Sequence, residues 1–94
     1  MINNLKDTVP FMNSDNYKER FVAEYWQTKI RYEKLKAFNN KIEASDMTVT
    51  VLAPKHDCPL CLLKEQQKAM GEYLHTLEVR AVIEGVDLFA QELK

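Results

Sequence analysis

The sequence predicts a mostly α fold: an antiparallel two-helix hairpin with an extended connector and an N-terminal arm. Only two glycines and three prolines occur in 94 residues, which argues against sheet-rich and disordered classes. Apolar residues recur at alternating steps of three and four along two long segments, as they do on one face of a helix. Between these segments the helical period is lost in a short β-branched stretch.

Length and composition indicate one small globular domain. The chain is 46% hydrophobic and 29% charged, which is typical of globular proteins, and 94 residues suffice for a single core. No apolar run approaches the roughly 18 residues that a membrane span requires, and the N-terminal residues do not resemble a signal peptide. We therefore expect a cytoplasmic protein that makes no contact with membranes.

The first helix is expected over residues 15–44. Residues 1–13 mix polar and scattered apolar side chains without a period, which indicates an N-terminal arm preceding a hairpin domain of residues 14–94. Ser14 or Asp15 can cap the helix by accepting a hydrogen bond from a free backbone amide. Seven residues share the inner face of this helix: Phe21, Tyr25, Thr28, Tyr32, Leu35, Asn39 and Ile42.

The connector is expected over residues 45–57. Its TVTVL stretch alternates β-branched side chains, so we expect it to be extended across the helices, with Val49 and Val51 turned inward. The connector leads into the second helix, expected over residues 58–84.

The second helix begins near Pro59, because proline suits the first helical position and Asp57 or Cys58 can then act as the cap. Its inner face carries Leu60, Leu63, Gln67, Met70, Leu74, Leu77 and Ala81. Gly71 lies within this helix, where a glycine indicates close approach of the other helix. Gly85 is expected to end the helix, and residues 86–93 to form a terminal turn.

A cluster of potential metal ligands lies where the connector meets the second helix. The run HDCPLC contains His56, Asp57, Cys58 and Cys61, including both cysteines of the chain. Two thiols separated by two residues and preceded by an imidazole are typical of tetrahedral zinc sites. We expect a structural zinc ion that staples the connector to the second helix. His56, Cys58 and Cys61 supply three ligands, and Asp57 or a residue such as Asp46 supplies the fourth.

Two other interpretations of the cysteine pair stay open. Cys58 and Cys61 can be small, partly buried apolar residues, or a redox-active pair at a helix start. A catalytic zinc ion would need an open coordination position in a cleft, which a thin helical hairpin does not offer. No glycine-rich phosphate loop, paired catalytic carboxylates or nucleophile triad occurs in the sequence. We therefore expect that the protein is not an enzyme.

Charge and surface residues favour a protein partner. Lys and Arg outnumber Asp and Glu eight to six in residues 1–44 and trail five to eight in residues 45–94, which gives a net charge of −1. A net charge this close to zero does not indicate direct nucleic-acid binding. We expect contacts through an exposed Trp26 and through Arg20, Arg31 and Glu72, in a monomer or weak homodimer.

Two segments resemble a family of small proteins encoded by phages and prophages of Gram-positive bacteria. They are NYKERFVAEYWQTKIRYEKLKAF and LLKEQQKAMGEYLHTLEVRAVIEGVDL, and together they cover a little over half of the chain. The motifs they share with that family belong to the packing of a helical hairpin. The sequence is also similar to zinc-containing anti-CRISPR proteins of streptococcal phages.

The resemblance implies a function in evading host defence. It implies that the protein binds a bacterial type II-A CRISPR effector, an RNA-guided DNA endonuclease, and prevents target DNA from being loaded or cut. The protein would then act as a nuclease inhibitor in the cytoplasm of the infected bacterium. The alternative is a structural or regulatory phage protein that self-assembles through unused helix faces and has no CRISPR role.

Overall fold

The structure, a computed structural model, describes residues 2–89. A 3-10 turn at Leu5–Thr8 leads into a short helix α1 (Val9–Met12), followed by two long helices, α2 (Tyr17–Met47) and α3 (Leu60–Glu84). Within residues 2–89 no strand forms. The expectation of a mostly α fold is therefore confirmed. None of the described helices combines the length and the apolar character that a bilayer span requires.

Helices α2 and α3 run antiparallel along a molecule that measures 49 × 23 × 22 Å. Near the start of α2, the Tyr25 hydroxyl donates to Glu78 Oε2 near the end of α3, at 2.7 Å. Near the end of α2, Asn39 Nδ2 donates to the Leu63 carbonyl in the first turns of α3, at 3.2 Å. The order of these contacts along the two helices shows the antiparallel pairing.

The inner faces predicted from residue spacing are the faces that pack. On α2 the buried members are Phe21, Tyr25, Asn39 and Ile42, and on α3 they are Leu74, Leu77 and Ala81. The other predicted members are half-buried. Periodicity alone therefore identified both contact stripes, because steps of three and four keep side chains on one side of a helix.

Helix α2 begins and ends later than the sequence indicated. Asn16, rather than Ser14 or Asp15, is the cap: its side chain accepts from the Lys18 amide at 2.9 Å. Ser14 supports this cap, since its hydroxyl accepts from the Asn16 amide at 3.0 Å. At the other end the helix continues to Met47, three residues past the predicted limit of 44.

Helix α3 begins at Leu60, two residues later than predicted. Pro59 has an extended backbone and precedes the helix, and its carbonyl accepts from the Leu62 and Leu63 amides at 3.1 and 3.2 Å. No side chain caps this terminus, so the expectation that Asp57 or Cys58 would do so was wrong. The connector between the helices therefore spans residues 48–59 instead of 45–57.

The N-terminal arm is part of the fold. Ile2 is buried in the main apolar cluster, and Thr8 is fully buried. The Thr8 hydroxyl donates to the Leu5 carbonyl at 2.7 Å and accepts from Gln27 Nε2 at 3.1 Å. The arm thus packs against the side of α2 that α3 leaves open. Residues 90–93 of the predicted terminal turn lie outside the described residues, and residues 86–89 return toward α2.

The hydrogen bond between Tyr25 and Glu78 connects the two helices. Tyr25 is 1% exposed. Burial raises the pKa of its hydroxyl well above the ordinary value, and the neighbouring Glu78 carboxylate raises it further. The hydroxyl therefore keeps its proton, and its role as donor, far into the alkaline range.

Gly71 lies where α2 and α3 approach closely, as expected. A methyl group added at this position would lie 3.3 Å from Cε1 of Tyr32. The half-buried Tyr32 ring occupies the space that a larger residue at position 71 would need.

Gly85 ends α3 with a left-handed backbone, at φ 70° and ψ 34°. We expect Gly85→Ala to destabilise the protein by about 1 kcal/mol, because a Cβ atom disfavours this conformation. The corresponding fall in melting temperature, measured by circular dichroism, is roughly 4–8 °C for a domain of this size. The exposed Gln66→Ala within α3 is the control, and an equal or smaller fall for Gly85→Ala would contradict the assignment.

Candidate functional site at the connector end

The connector of residues 48–59 leaves its apolar side chains in solvent. Met47, at the end of α2, is 83% exposed, and Val49 and Leu52 in the connector are 97% and 88% exposed. Val49 was expected to turn inward, and this expectation was wrong. Val51 is half-buried. The end of the molecule where the connector joins the helices, here called the connector end, therefore presents an uncovered apolar surface.

The connector bends where an extended strand was expected. Residues 49–51 form a turn and a bend, and the Thr48 hydroxyl lies 3.1 Å from that of Thr50. A β-branched stretch is stabilised as a strand by pairing with a neighbouring strand, and residues 2–89 offer none. The connector contains twelve residues, from 48 to 59. Packed helices are usually joined by about two to eight residues, so this connector is long.

His56 is oriented by its own loop. Its Nδ1 lies 2.8 Å from the Pro54 carbonyl, and its ring meets Phe38 edge-on at 6.3 Å between centroids. Because a carbonyl oxygen only accepts, this contact places the proton on Nδ1. Nε2 is then left with the lone pair that a metal ligand needs.

Both thiols are free and exposed, and the carboxylate of Asp57, between His56 and Cys58, is exposed as well. Cys58 precedes Pro59, and Cys61 lies in the first turn of α3. His56, Asp57 and both cysteines thus lie at the same end of the molecule. Across residues 2–89, however, no three His, Cys, Asp or Glu side chains are placed to hold a metal ion together. The donor types suit zinc, while their arrangement does not form a coordination site.

A groove of about 920 Å³ begins at Cys61 and follows α3 along the side where Tyr32 of α2 lies. It is lined by Tyr32, Cys61, Lys64, Glu65, Gln67, Lys68, Gly71, Glu72, His75 and Thr76. The sequence indicated Glu72 as a partner contact and Cys61 as a metal ligand, but it did not indicate the groove. The signal that could have found the groove is the spacing of 61, 64, 68, 72 and 75, which places these residues on one stripe of the helix.

Trp26 is a packing residue rather than the exposed anchor expected from the sequence. It is half-buried, and its indole nitrogen donates to the Leu88 carbonyl at 2.7 Å. Its ring meets Tyr25 and Phe89 edge-on, at 5.4 and 5.5 Å between centroids. Trp26 therefore holds the segment after α3 against α2, because that segment returns along the helix.

The predicted contact residues do not form one surface around Trp26. Arg20 is exposed near the start of α2, where its guanidinium donates to the Ser14 carbonyl at 2.8 Å. Arg31 is exposed farther along α2, and Glu72 lines the groove on α3. These charges are available to a partner, and Arg20 and Arg31 are eleven residues apart along α2.

A second apolar surface lies on the outer side of α3, far from the connector. Val82 and Ile83 are 83% and 77% exposed, and Val79 is about half exposed. These three residues lie outside the inner face predicted for the second helix. The arm supplies a cover for α2, and this part of α3 stays open within the described chain.

Comparison with known proteins places the hairpin in a family. Residues 15–83, which include nearly all of α2 and α3, match the model of the family described as Sequestin. No curated protein and no solved structure gives a significant match. The matched segment contains the connector and its cysteines and covers well over half of the chain. The chain belongs to the Sequestin family.

Proposed function

We propose that the protein is a stoichiometric inhibitor that binds a bacterial type II-A CRISPR nuclease in the cytoplasm of a phage-infected cell. The target is taken from the resemblance of the sequence to zinc-containing anti-CRISPR proteins of streptococcal phages. The observation that carries the binding role is the exposed apolar connector end, with Val49 and Leu52 almost fully in solvent. Apolar side chains exposed together are typical of a surface that a partner covers.

Binding, rather than catalysis, is supported by the arrangement of the reactive side chains. Cys61 and His75 both line the groove, but fourteen residues separate them along one helix, which is about 21 Å at the helical rise. A nucleophile and its base need to be within hydrogen-bond reach. The groove therefore suits contact with another molecule better than proton transfer between these two groups.

The mild charge of the chain supports contact with a protein lobe. A net charge of −1 provides little imitation of a phosphate backbone, so inhibition would come from steric obstruction of DNA entry. The exposed connector end would supply apolar contacts. Arg31 and Glu72, farther along the helices, and Arg20, near the start of α2, would add charged contacts away from that end.

A structural zinc ion would complete the connector end. His56, Cys58 and Cys61 would be ligands, and Asp57 is the nearest candidate for the fourth. Since these side chains are exposed and the connector has no helix or strand, a shift of the loop would gather them. Zinc would then fasten the connector to the start of α3 and fix the surface offered to the partner.

We expect the purified protein to prevent DNA cleavage by a matched streptococcal type II-A nuclease when it is added in molar excess. The assay measures cut target DNA while the protein is titrated against a fixed amount of nuclease and guide. Complete cutting at about tenfold excess would exclude the inhibitor role, because stoichiometric binding saturates well below that ratio.

Paired variants test whether the connector end carries this binding. Val49→Asp with Leu52→Asp should abolish inhibition, since charges would replace the exposed apolar contacts. Val82→Asp is the control, because Val82 is similarly exposed but lies far from the connector. Equal inhibition by both variants would assign the contact to another surface.

We expect protein purified without added zinc to contain about one zinc ion per chain, by elemental analysis. Cys61→Ala should remove most of the metal, because a thiolate ligand is lost. His75→Ala should retain it, since His75 lies outside the cluster. A wild-type content near zero would contradict the zinc site without bearing on the cleavage assay.

Self-assembly without a CRISPR role is the second candidate function, favoured by the exposed Val79, Val82 and Ile83 on α3. Light scattering should then show a mass that rises with concentration. Val82→Asp with Ile83→Asp should return the protein to a monomer, whereas Val49→Asp should not. A monomer at all concentrations would contradict this alternative.

A further inference from the structure

The buried apolar core is concentrated in one half of the hairpin. Its members come from the arm, the first turns of α2, the last turns of α3 and the segment after α3: Ile2, Phe21, Val22, Tyr25, Leu74, Leu77, Ala81, Val86 and Leu88. Half-buried Phe11, Trp26, Ile30 and Tyr32 pack against this cluster. We call this half, opposite the connector end, the closed end. It joins four segments of the chain.

The half next to the connector contains few fully buried side chains. In residues 33–73 the buried side chains are Ile42 and Asn39, and neither belongs to the main cluster. An ion pair between Lys64 and Glu43, at 2.6 Å, joins the helices there, but it is largely exposed. Exposed ion pairs contribute little to stability, and the apolar seam residues of this half, such as Leu35, Leu63 and Met70, are only half-buried. Less apolar burial therefore opposes separation of the helices here than at the closed end.

Asn39 weakens this half further. It is 1% exposed, and its Nδ2 donates to Gln67 Oε1 at 3.0 Å and to the Leu63 carbonyl. Its Oδ1 is buried without a hydrogen-bond partner within the described structure. A buried acceptor without a partner favours the open state, in which water solvates it. The same side chain fixes the register of α2 against α3, because both N–H groups of its amide donate to acceptors on α3.

We infer that the hairpin opens locally from the connector end, as a unit separate from the closed end, and that Asn39 sets how often it opens. Opening separates the last turns of α2 from the first turns of α3 and leaves the closed end intact. It frees the connector from the constraint of two fixed helix ends, and it exposes Ile42 and Leu63. Local opening of this kind is expected where buried apolar contacts are few.

Hydrogen exchange of the full chain, measured by mass spectrometry, tests this inference. In the wild-type protein, amides of residues 36–47 and 62–69 should exchange at least about tenfold faster than those of residues 21–28 and 74–81, because they exchange through the local opening. Equal rates in the two halves would overturn the inference, since the hairpin would then open only as a whole.

Matched leucine variants test the role of Asn39. Asn39→Leu removes the buried acceptor. It should slow hydrogen exchange about tenfold in the half next to the connector and leave the exchange rates of the closed end unchanged. Asn40→Leu is the control, because Asn40 is the exposed neighbour on the same helix. Faster exchange in Asn39→Leu, or the same change in both variants, would show that Asn39 does not set the opening. If Asn39→Leu fails to fold, the wild-type comparison still decides whether the half opens separately.

Discussion

The antiparallel contact between α2 and α3 is the constraint on which the rest of the structure depends. Two helices alone form a rod with one shared seam, and each keeps an apolar flank that the other cannot reach. In this chain the arm and the segment after α3 return to the same end of the rod and pack there. The Tyr25 hydroxyl and the Trp26 indole nitrogen, which would otherwise lack partners in that cluster, donate to Glu78 and to the Leu88 carbonyl. One end of the hairpin is therefore a compact core, and the other is a seam between two helices.

Much of the fold could be predicted from residue spacing, because burial in a helix follows its period. The spacing identified Phe21, Tyr25, Asn39 and Ile42 as buried on α2 and Leu74, Leu77 and Ala81 as buried on α3, but it did not identify Val22 and Ala23. Gly71 lies against Tyr32 of α2, and Gly85 ends α3. The helix starts were less predictable. Ser14, Asp15 and Asn16 are all competent caps, and only the path of the arm selects Asn16.

The candidate site was predictable in composition but not in shape. The run from His56 to Cys61 keeps its ligands at one end of the molecule whatever the loop conformation, because they are neighbours in sequence. Their arrangement depends on a connector with little regular structure, which periodicity does not describe. The position of Val49 shows the same limit: its β-branched pattern indicated an inward side chain, but no strand is present to pair with it. The exposure of Trp26 depended on the return of residues 86–89, which local sequence does not specify.

The buried Tyr25 hydroxyl makes the strongest part of the hairpin sensitive to base. Its pKa is raised in the folded chain, so the contribution of this group to stability is complete below the unfolded tyrosine value of about 10 and is lost as the pH rises toward the folded value. Ionisation would place a phenolate beside the Glu78 carboxylate, which is 2.7 Å from the hydroxyl. The two like charges would then repel across a contact that joins the two helices, so strong base is expected to weaken the compact core.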